Sequence, residues 1–228
     1  DANDDGTLEN IYVTNTVDED AMEVVYTLHL GDQELAYNAD SSMYYVSFYY
    51  VHSAGGNFVF ADASMDNGFN ETTLYKVGDT IKEIDKNEYA VSEISDGTLK
   101  MTAIRDALGT WTVIDEFSYD ANGFTRKNTA EKIDNNPSSN SDARGIKLKA
   151  DMEYLLDYND KDSTQTIESG SLIYPVTIID SSDGTVIGFV TEDGITGYVY
   201  YKEDSSTGSH TINGIDEMEL FEELPYAG

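Results

Sequence analysis

The chain has no cysteine, one tryptophan, three prolines and three histidines, and only 13 Lys and Arg stand against 44 Asp and Glu. Without thiols there can be no disulfide, no thiolate nucleophile, no Fe–S cluster and no Cys-based zinc site. His29, His52 and His210 are the only imidazoles. A formal net charge of −31 repels phosphate backbones, anionic lipid headgroups and other polyanions at long range, so nucleic acids and membrane surfaces are poor partners. No stretch reaches the roughly 18 consecutive apolar residues of a membrane span. No basic, apolar, small-residue leader opens the sequence, so the expectation is a chain that does not insert into membranes, any signal segment or lipid anchor lying outside it. P-loop, Gly-x-Gly-x-x-Gly, His-Glu-x-x-His and Gly-x-Ser-x-Gly signatures are all missing.

What the chain does have is aromatic and β-branched residues. Seventeen Tyr and eight Phe in 228 residues supply enough apolar surface for one large β domain or two of roughly 100 residues each. Runs rich in these residues at 9–15, 23–30, 43–51, 57–62, 70–77, 80–84, 97–105 and 110–119 predict strands. Turn pairs such as Asn67-Gly68, Asp96-Gly97 and Asn122-Gly123 separate them, the Gly supplying the positive φ of tight hairpins. Between Asn128 and Ala143 apolar periodicity lapses around Pro137, which predicts a linker over 131–145. Strands resume at 148–156, 171–180, 185–191 and 195–202, a short-hairpin spacing that suits a small SH3-like barrel over 146–228. Gly188 and Gly197 fall in mid-strand, where they would permit sharp coiling. Ile215, Met218, Phe221 and Leu224 then recur every three residues before Pro225, predicting a helix over 216–223 packed by that face. The fold class expected is all-β: an N-terminal antiparallel domain over 1–130, of propeller-blade-like or sandwich repeats, followed by the linker and the barrel.

Three stretches carry a resemblance. Asp1-Ala2-Asn3-Asp4-Asp5-Gly6-Thr7-Leu8-Glu9, followed by Asn10-Ile11-Tyr12-Val13, resembles the calcium-loop-plus-strand unit of secreted integrin-type β-propeller repeats. Together with Leu99–Thr110 and the tail Ile212–Gly228, it makes the chain similar to a group of uncharacterised, secreted and often lipid-anchored proteins of anaerobic Gram-positive gut bacteria. The resemblance implies an extracellular, cell-surface location and, for the last third, likeness to bacterial SH3-type wall modules; it implies no activity. The chain departs from a full propeller in having at most about three blade-like units where closed propellers need four to eight.

Two acidic loops are candidate cation sites. Asp1, Asn3, Asp5 and Glu9 could offer side-chain oxygens and Thr7 its carbonyl to a hard cation such as Ca²⁺, which takes six to eight oxygens. The alternative is an acidic surface turn before a strand. Asp62-Ala63-Ser64-Met65-Asp66-Asn67-Gly68 has a looser alternation and reads more simply as a hairpin loop of Asx turns. In the run Met43–Val51, alternation puts Tyr45, Ser47 and Tyr49 on one face and Tyr44, Val46, Phe48 and Tyr50 on the other, a pattern expected of a core strand. Tyr154, Tyr158, Tyr174 and Tyr198 are the candidate ligand-binding residues of the second unit, suited to stacking on a wall glycan or peptide. No catalytic set stands out. Paired carboxylates of the glycoside-hydrolase kind need a separation of ~5–9.5 Å in a cleft, and among 44 acids chance proximity carries no information. The expected function is a non-catalytic, monomeric extracellular binding protein for a cell-wall glycan or peptide, with Ca²⁺ the one conceivable cofactor; the alternatives are a spacer in a surface assembly and a carboxylate-pair glycosidase.

Overall fold

The computed structural model describes residues 10–18, 23–39, 43–65, 70–182, 184–203 and 209–226. The fold is nearly all β, with antiparallel sheets and one short terminal helix. It divides into two compact units. Unit 1 comprises Asp1–Ala103 and Glu116–Lys127, and unit 2 comprises Ile104–Asp115 and Asn128–Gly228. The expected boundary at 130/131 is thus close to one crossing, but the chain also changes unit after Ala103 and after Asp115, within two strands.

Unit 1 contains β1 (Ile11–Asp18), β2 (Glu23–Leu30), β3 (Gln33–Ala39), β4 (Met43–Ser53), β5 (Gly56–Met65), β6 (Asn70–Val77), β7 (Lys82–Asn87), β8 (Ala90–Ser95), the first part of β9 (Thr98–Asp106), the last part of β10 (Thr110–Asp120) and β11 (Gly123–Arg126). β1-β2-β3 form one sheet and β4-β5-β6-β7 a second, each a meander of neighbours in sequence. Alternation explains how they stack. Leu28, Leu30, Tyr37 and Ala39 from β2 and β3 bury against Val46, Val59, Ala61, Ala63, Tyr75 and Val77 from β4, β5 and β6. Phe48 and Tyr50 pack on the same cluster, so the Val46–Phe48–Tyr50 face of β4 is core. The other face of β5 is covered as well. Phe58 and Phe60 are fully buried and meet the Tyr119 ring edge-on at 5.4 and 5.0 Å, with Phe124 6.2 Å from Phe60. β5 is therefore a doubly covered strand, which is why its sequence runs apolar on both faces rather than alternating with polar residues.

Unit 2 contains the remainders of β9 and β10, then β12 (Ala130–Ile133), β13 (Ile146–Lys147), β14 (Met152–Leu155), β15 (Thr164–Ile167), β16 (Leu172–Ser181), β17 (Gly184–Thr191), β18 (Thr196–Glu203), β19 (His210–Ile212), β20 (Ile215–Asp216) and α1 (Glu217–Leu220). The strand path runs β15-β14-β18-β17-β16-β12-β10, with β13 also on β16 and β19–β20 beside β18. The unit is thus larger than the five-stranded SH3-like barrel expected, because residues 104–115 and β12 belong to it.

The segment 131–145 is more than a spacer. Its first residues end β12, where Lys132 and Glu131 pair with Thr177 and Ile178. Glu131, 1% exposed, receives Arg105 Nε at 3.2 Å on both carboxylate oxygens and its NH2 group at 3.0 Å. Farther on, buried Asn135 donates to Arg144 O at 3.1 Å and accepts from Arg144 N at 2.6 Å, while the Arg144 guanidinium stacks 4.7 Å over Trp111. Polar residues hold this loop by hydrogen bonds, so a reading based on apolar periodicity misses it.

The terminal helix is also shorter than expected. Asp216 caps it, its carboxylate accepting from Met218 N at 2.8 Å, but it ends at Leu220 because Phe221 turns extended and bridges Leu148. Lys149 N donates to Leu220 O and Glu222 N to Lys147 O, which are strand-like contacts. The face expected to pack is therefore split: Phe221 is buried with Leu220 and Glu217, whereas Ile215 and Met218 are 42% and 61% exposed. The two mid-strand glycines act through close approach. A Cβ on Gly197 would lie 2.6 Å from Phe189 Cζ and nearer still to the Tyr154 ring, and one on Gly188 3.1 Å from Tyr198.

Candidate functional site

The residues Asp1, Asn3, Asp5, Thr7 and Glu9, expected as a Ca²⁺ loop, lie outside the described residues. So do Asp66, Asn67 and Gly68. Among the described residues, no three His, Asp or Glu side chains gather into a metal-holding group. Asp62, read as part of a hairpin loop, instead sits inside β5 and is buried. Thr72 Oγ1 lies 2.6 Å from Tyr89 O and 3.1 Å from Asp62 Oδ1, and Val91 N donates to Asp62 Oδ2 at 3.3 Å. Burial pushes the Asp62 carboxyl up to about 6, against the lowering effect of the hydrogen bonds it accepts from Thr72 and Val91.

Unit 2 carries an open concavity. On β18, Gly197, Val199 and Tyr201 point into the core, while Tyr198, Tyr200 and Lys202 share the other face. Beside them the β14–β15 hairpin raises a loop braced by Asx turns: Asp157 Oδ1 accepts from Asn159 N, Asp160 Oδ1 from Asp162 N, and Ser163 Oγ donates to Asp160 O. This loop places Lys161 Nζ 5.7 Å from the centre of the Tyr200 ring, and Tyr200 Oη donates to Tyr158 O at 2.9 Å. The opposite wall comes from β19 and its turn. Asn213 and Gly214 both adopt positive φ, 53° and 82°, the pair that a two-residue hairpin turn requires between Ile212 and Ile215. Asn213 Nδ2 donates to Glu153 O at 2.9 Å, tying that turn to β14.

Between these walls lies a pocket of about 490 Å³, lined chiefly by Tyr154, Tyr200, Lys161, Lys202, Thr164 and Asn213. A second pocket of about 410 Å³ shares Glu153 and Asn213 with it and continues toward Ile212, Ile215 and Leu220. Their sizes fall in the range of small-molecule and saccharide sites.

Of the four tyrosines expected to bind ligand, Tyr154 lines the pocket while largely buried, its ring edge-on to Phe189 at 5.5 Å. Tyr158 and Tyr198 pair edge-on at 5.3 Å and brace the loop rather than line the pocket. Tyr174 is buried elsewhere, donating to Glu192 Oε1 at 3.1 Å, and burial followed by that carboxylate raises its hydroxyl above its ordinary range. The sequence reading missed Tyr200 as a site residue, together with Lys161, Lys202, Thr164, Thr211 and Asn213. Alternation puts Tyr200 on the face of Tyr198 and, two residues further, reaches Lys202, but it does not show which face lines a pocket.

A second polar cluster was also missed. His210 is in β19 and stacks on Tyr201 at 4.8 Å, with Nδ1 3.5 Å from Glu217 Oε1. Tyr201 and Tyr226 both donate to the buried Glu217 carboxylate, at 3.0 and 3.1 Å. Burial, then Tyr226 and Glu217, push the Tyr201 hydroxyl strongly upward. With its oxygens taken up by these partners, Glu217 fastens the end of the chain to β18.

The chain matches no family model, no curated protein and no solved structure. No helix among the described residues is long and apolar enough to cross a membrane.

Proposed function

We propose that unit 2 is a non-catalytic glycan-binding module of a cell-surface protein, and that it holds a stretch of wall saccharide along the two pockets beside β14. The observation that carries this reading is the pair of pockets sharing Glu153 and Asn213, about 490 and 410 Å³, the first lined by hydroxyl, amide and ammonium groups around Tyr200. Sugars present alternating hydroxyls and flat C–H faces, and such a lining answers both. For a surface location this reading draws on the cysteine-free, tyrosine-rich composition and on the resemblance of the last third, read from the sequence, to bacterial SH3-type wall modules. The burial of Tyr154 and Tyr174 favours a second reading, a spacer whose aromatics serve only the core.

Titration of ¹⁵N-labelled protein with a soluble β-1,4-linked N-acetylated tetrasaccharide tests the reading. Shifts at Tyr200, Thr211 and Asn213, and an affinity lowered on the order of tenfold by Tyr200→Ala, are expected from loss of one aromatic contact. Unmoved spectra at millimolar saccharide would favour the spacer.

A further inference from the structure

The two pockets beside β14 differ in charge, and in a chain so short of cations the difference carries information. Only 13 Lys and Arg serve all 228 residues, yet the first pocket has two of them in its wall, Lys161 and Lys202, against one carboxylate, Glu153. The second pocket has the reverse. Asp151 and Glu153 line it, and no Lys, Arg or His does. Lys149, two residues before Asp151, is held away by donating to Met218 O at 3.0 Å.

These carboxylates have acceptor capacity to spare. Asp151 Oδ1 accepts from Ser169 N at 2.8 Å, and among the described residues neither its other oxygen nor the Glu153 carboxylate has a hydrogen-bond or ion-pair partner. An ionised carboxylate offers about four lone-pair sites, so two of them ask for more donors than a neutral sugar supplies at one position. A hydroxyl or an acetamido N–H brings one proton, whereas an ammonium brings three together with the charge that strengthens each bond. The rest of the lining is mostly aliphatic: Met152, Ile212 and Leu220 are buried and Ile215 is half-exposed. The long-range field agrees with the local one, since a net charge of −31 draws a cation and repels an anion.

We infer that the second pocket is a subsite for a free amine on the saccharide, so that the ligand class is a glycan with a de-N-acetylated hexosamine unit. This rests on the saccharide reading of the two pockets and adds the chemistry that selects among saccharides. The ammonium faces Asp151 and Glu153, the C–H face of the ring lies on the aliphatic lining, and Thr166 and Asn213 answer its hydroxyls. The unit in the first pocket carries no free amine, because Lys161 and Lys202 repel one there. The order of the two pockets therefore gives the bound glycan a direction.

The test titrates three sugars into the whole chain by calorimetry: the fully N-acetylated β-1,4-linked tetrasaccharide, and two forms of it with a single free amine, at the reducing or at the non-reducing end. One of the two amine forms should bind on the order of fivefold tighter than the N-acetylated parent, the gain expected of ion pairs at a partly exposed site. High salt should shrink that ratio. Asp151→Asn and Glu153→Gln should each lower it and together bring it to about one; the amide introduced at 151 still accepts from Ser169 N, so the loop keeps its brace. Asp180→Asn removes the same charge at the end of β16, three strands from β14 in the sheet, and should leave the ratio unchanged. Equal affinity for all three sugars would overturn the amine subsite and leave the saccharide reading standing. A gain that survives the two pocket substitutions, or that Asp180→Asn removes equally, would assign it to overall charge and overturn the subsite as well. Binding of none of the three would overturn both.

Discussion

β5 in unit 1 and β18 in unit 2 are both aromatic strands, and they end in opposite situations. β5 has Phe58 and Phe60 on one face and Val59, Ala61 and Ala63 on the other, and both faces are covered. β18 covers only the face of Gly197, Val199 and Tyr201, leaving Tyr200 and Lys202 to line a pocket. Aromatic content alone therefore does not mark a binding surface. What separates the two is what lies over the ring: Tyr119 and Phe124 cover Phe58 and Phe60, whereas the face of Tyr200 continues into the exposed Lys202.

The contrast is broken most severely at β5. Phe60→Ala should lower stability by about 3–5 kcal/mol, the loss for a buried aromatic whose cavity cannot collapse. Chemical denaturation followed by tyrosine fluorescence measures it, and a loss under about 1 kcal/mol would mean that this face is loosely packed. Next comes the covered face of β18. Gly197→Ala forces a methyl into the Tyr154 and Phe189 rings and should destabilise by about 1–3 kcal/mol, as overpacking does; it should also displace Tyr154 from the pocket wall, read as weaker saccharide binding.

A pH-dependent effect sits in β5 itself. The Asp62 pKa is raised on folding from 3.8 to about 6, so the folded state holds this proton more tightly than the unfolded chain. Its contribution to stability is full below about pH 4 and is lost as pH rises through about 6, by up to about 3 kcal/mol. Asp62→Asn should flatten that part of the melting-temperature profile between pH 4 and 7, and an unchanged slope would place the titration elsewhere. The smallest effect on stability is expected at the open face, where Tyr200→Ala should change it by about 1 kcal/mol or less. Differential scanning calorimetry beside the saccharide titration would show binding lost with the fold retained; a large fall in melting temperature would make Tyr200 a core residue like Phe60.

Strand identity was legible where β-branched and aromatic residues cluster between turn pairs: the runs at 23–30, 70–77 and 185–191 coincide with β2, β6 and most of β17. Short polar strands were not. Ala130–Ile133 has too few apolar residues to show a period, and what places it are its ladders to β10 and β16 and the Arg105 guanidinium on buried Glu131, from positions 26 apart. The helix boundary failed for a related reason. The spacing of Ile215, Met218 and Phe221 fits a helix, but the chain past Leu220 gains strand-like bonds to residues 147–149, and spacing carries no information about such partners. The site was half legible. Tyr154 could be named from its aromatic character, whereas Asn213 and Lys161 reach the pocket from turns whose positions depend on pairing between distant strands.

The division of the chain also bears on how the molecule is made. Residues 104–115, with Leu108, Trp111 and Val113, are synthesised between two pieces of unit 1 but belong with partners that emerge only after Asn128. At roughly 5–20 residues per second, that segment waits between about 5 and 20 s for the last strands of unit 2. Unit 1 can gather its sheets as soon as Lys127 has left the ribosome, while a tryptophan-bearing stretch remains without its core. The order of synthesis thus leaves this short, tryptophan-bearing insert exposed on the nascent chain until its partners after Asn128 emerge.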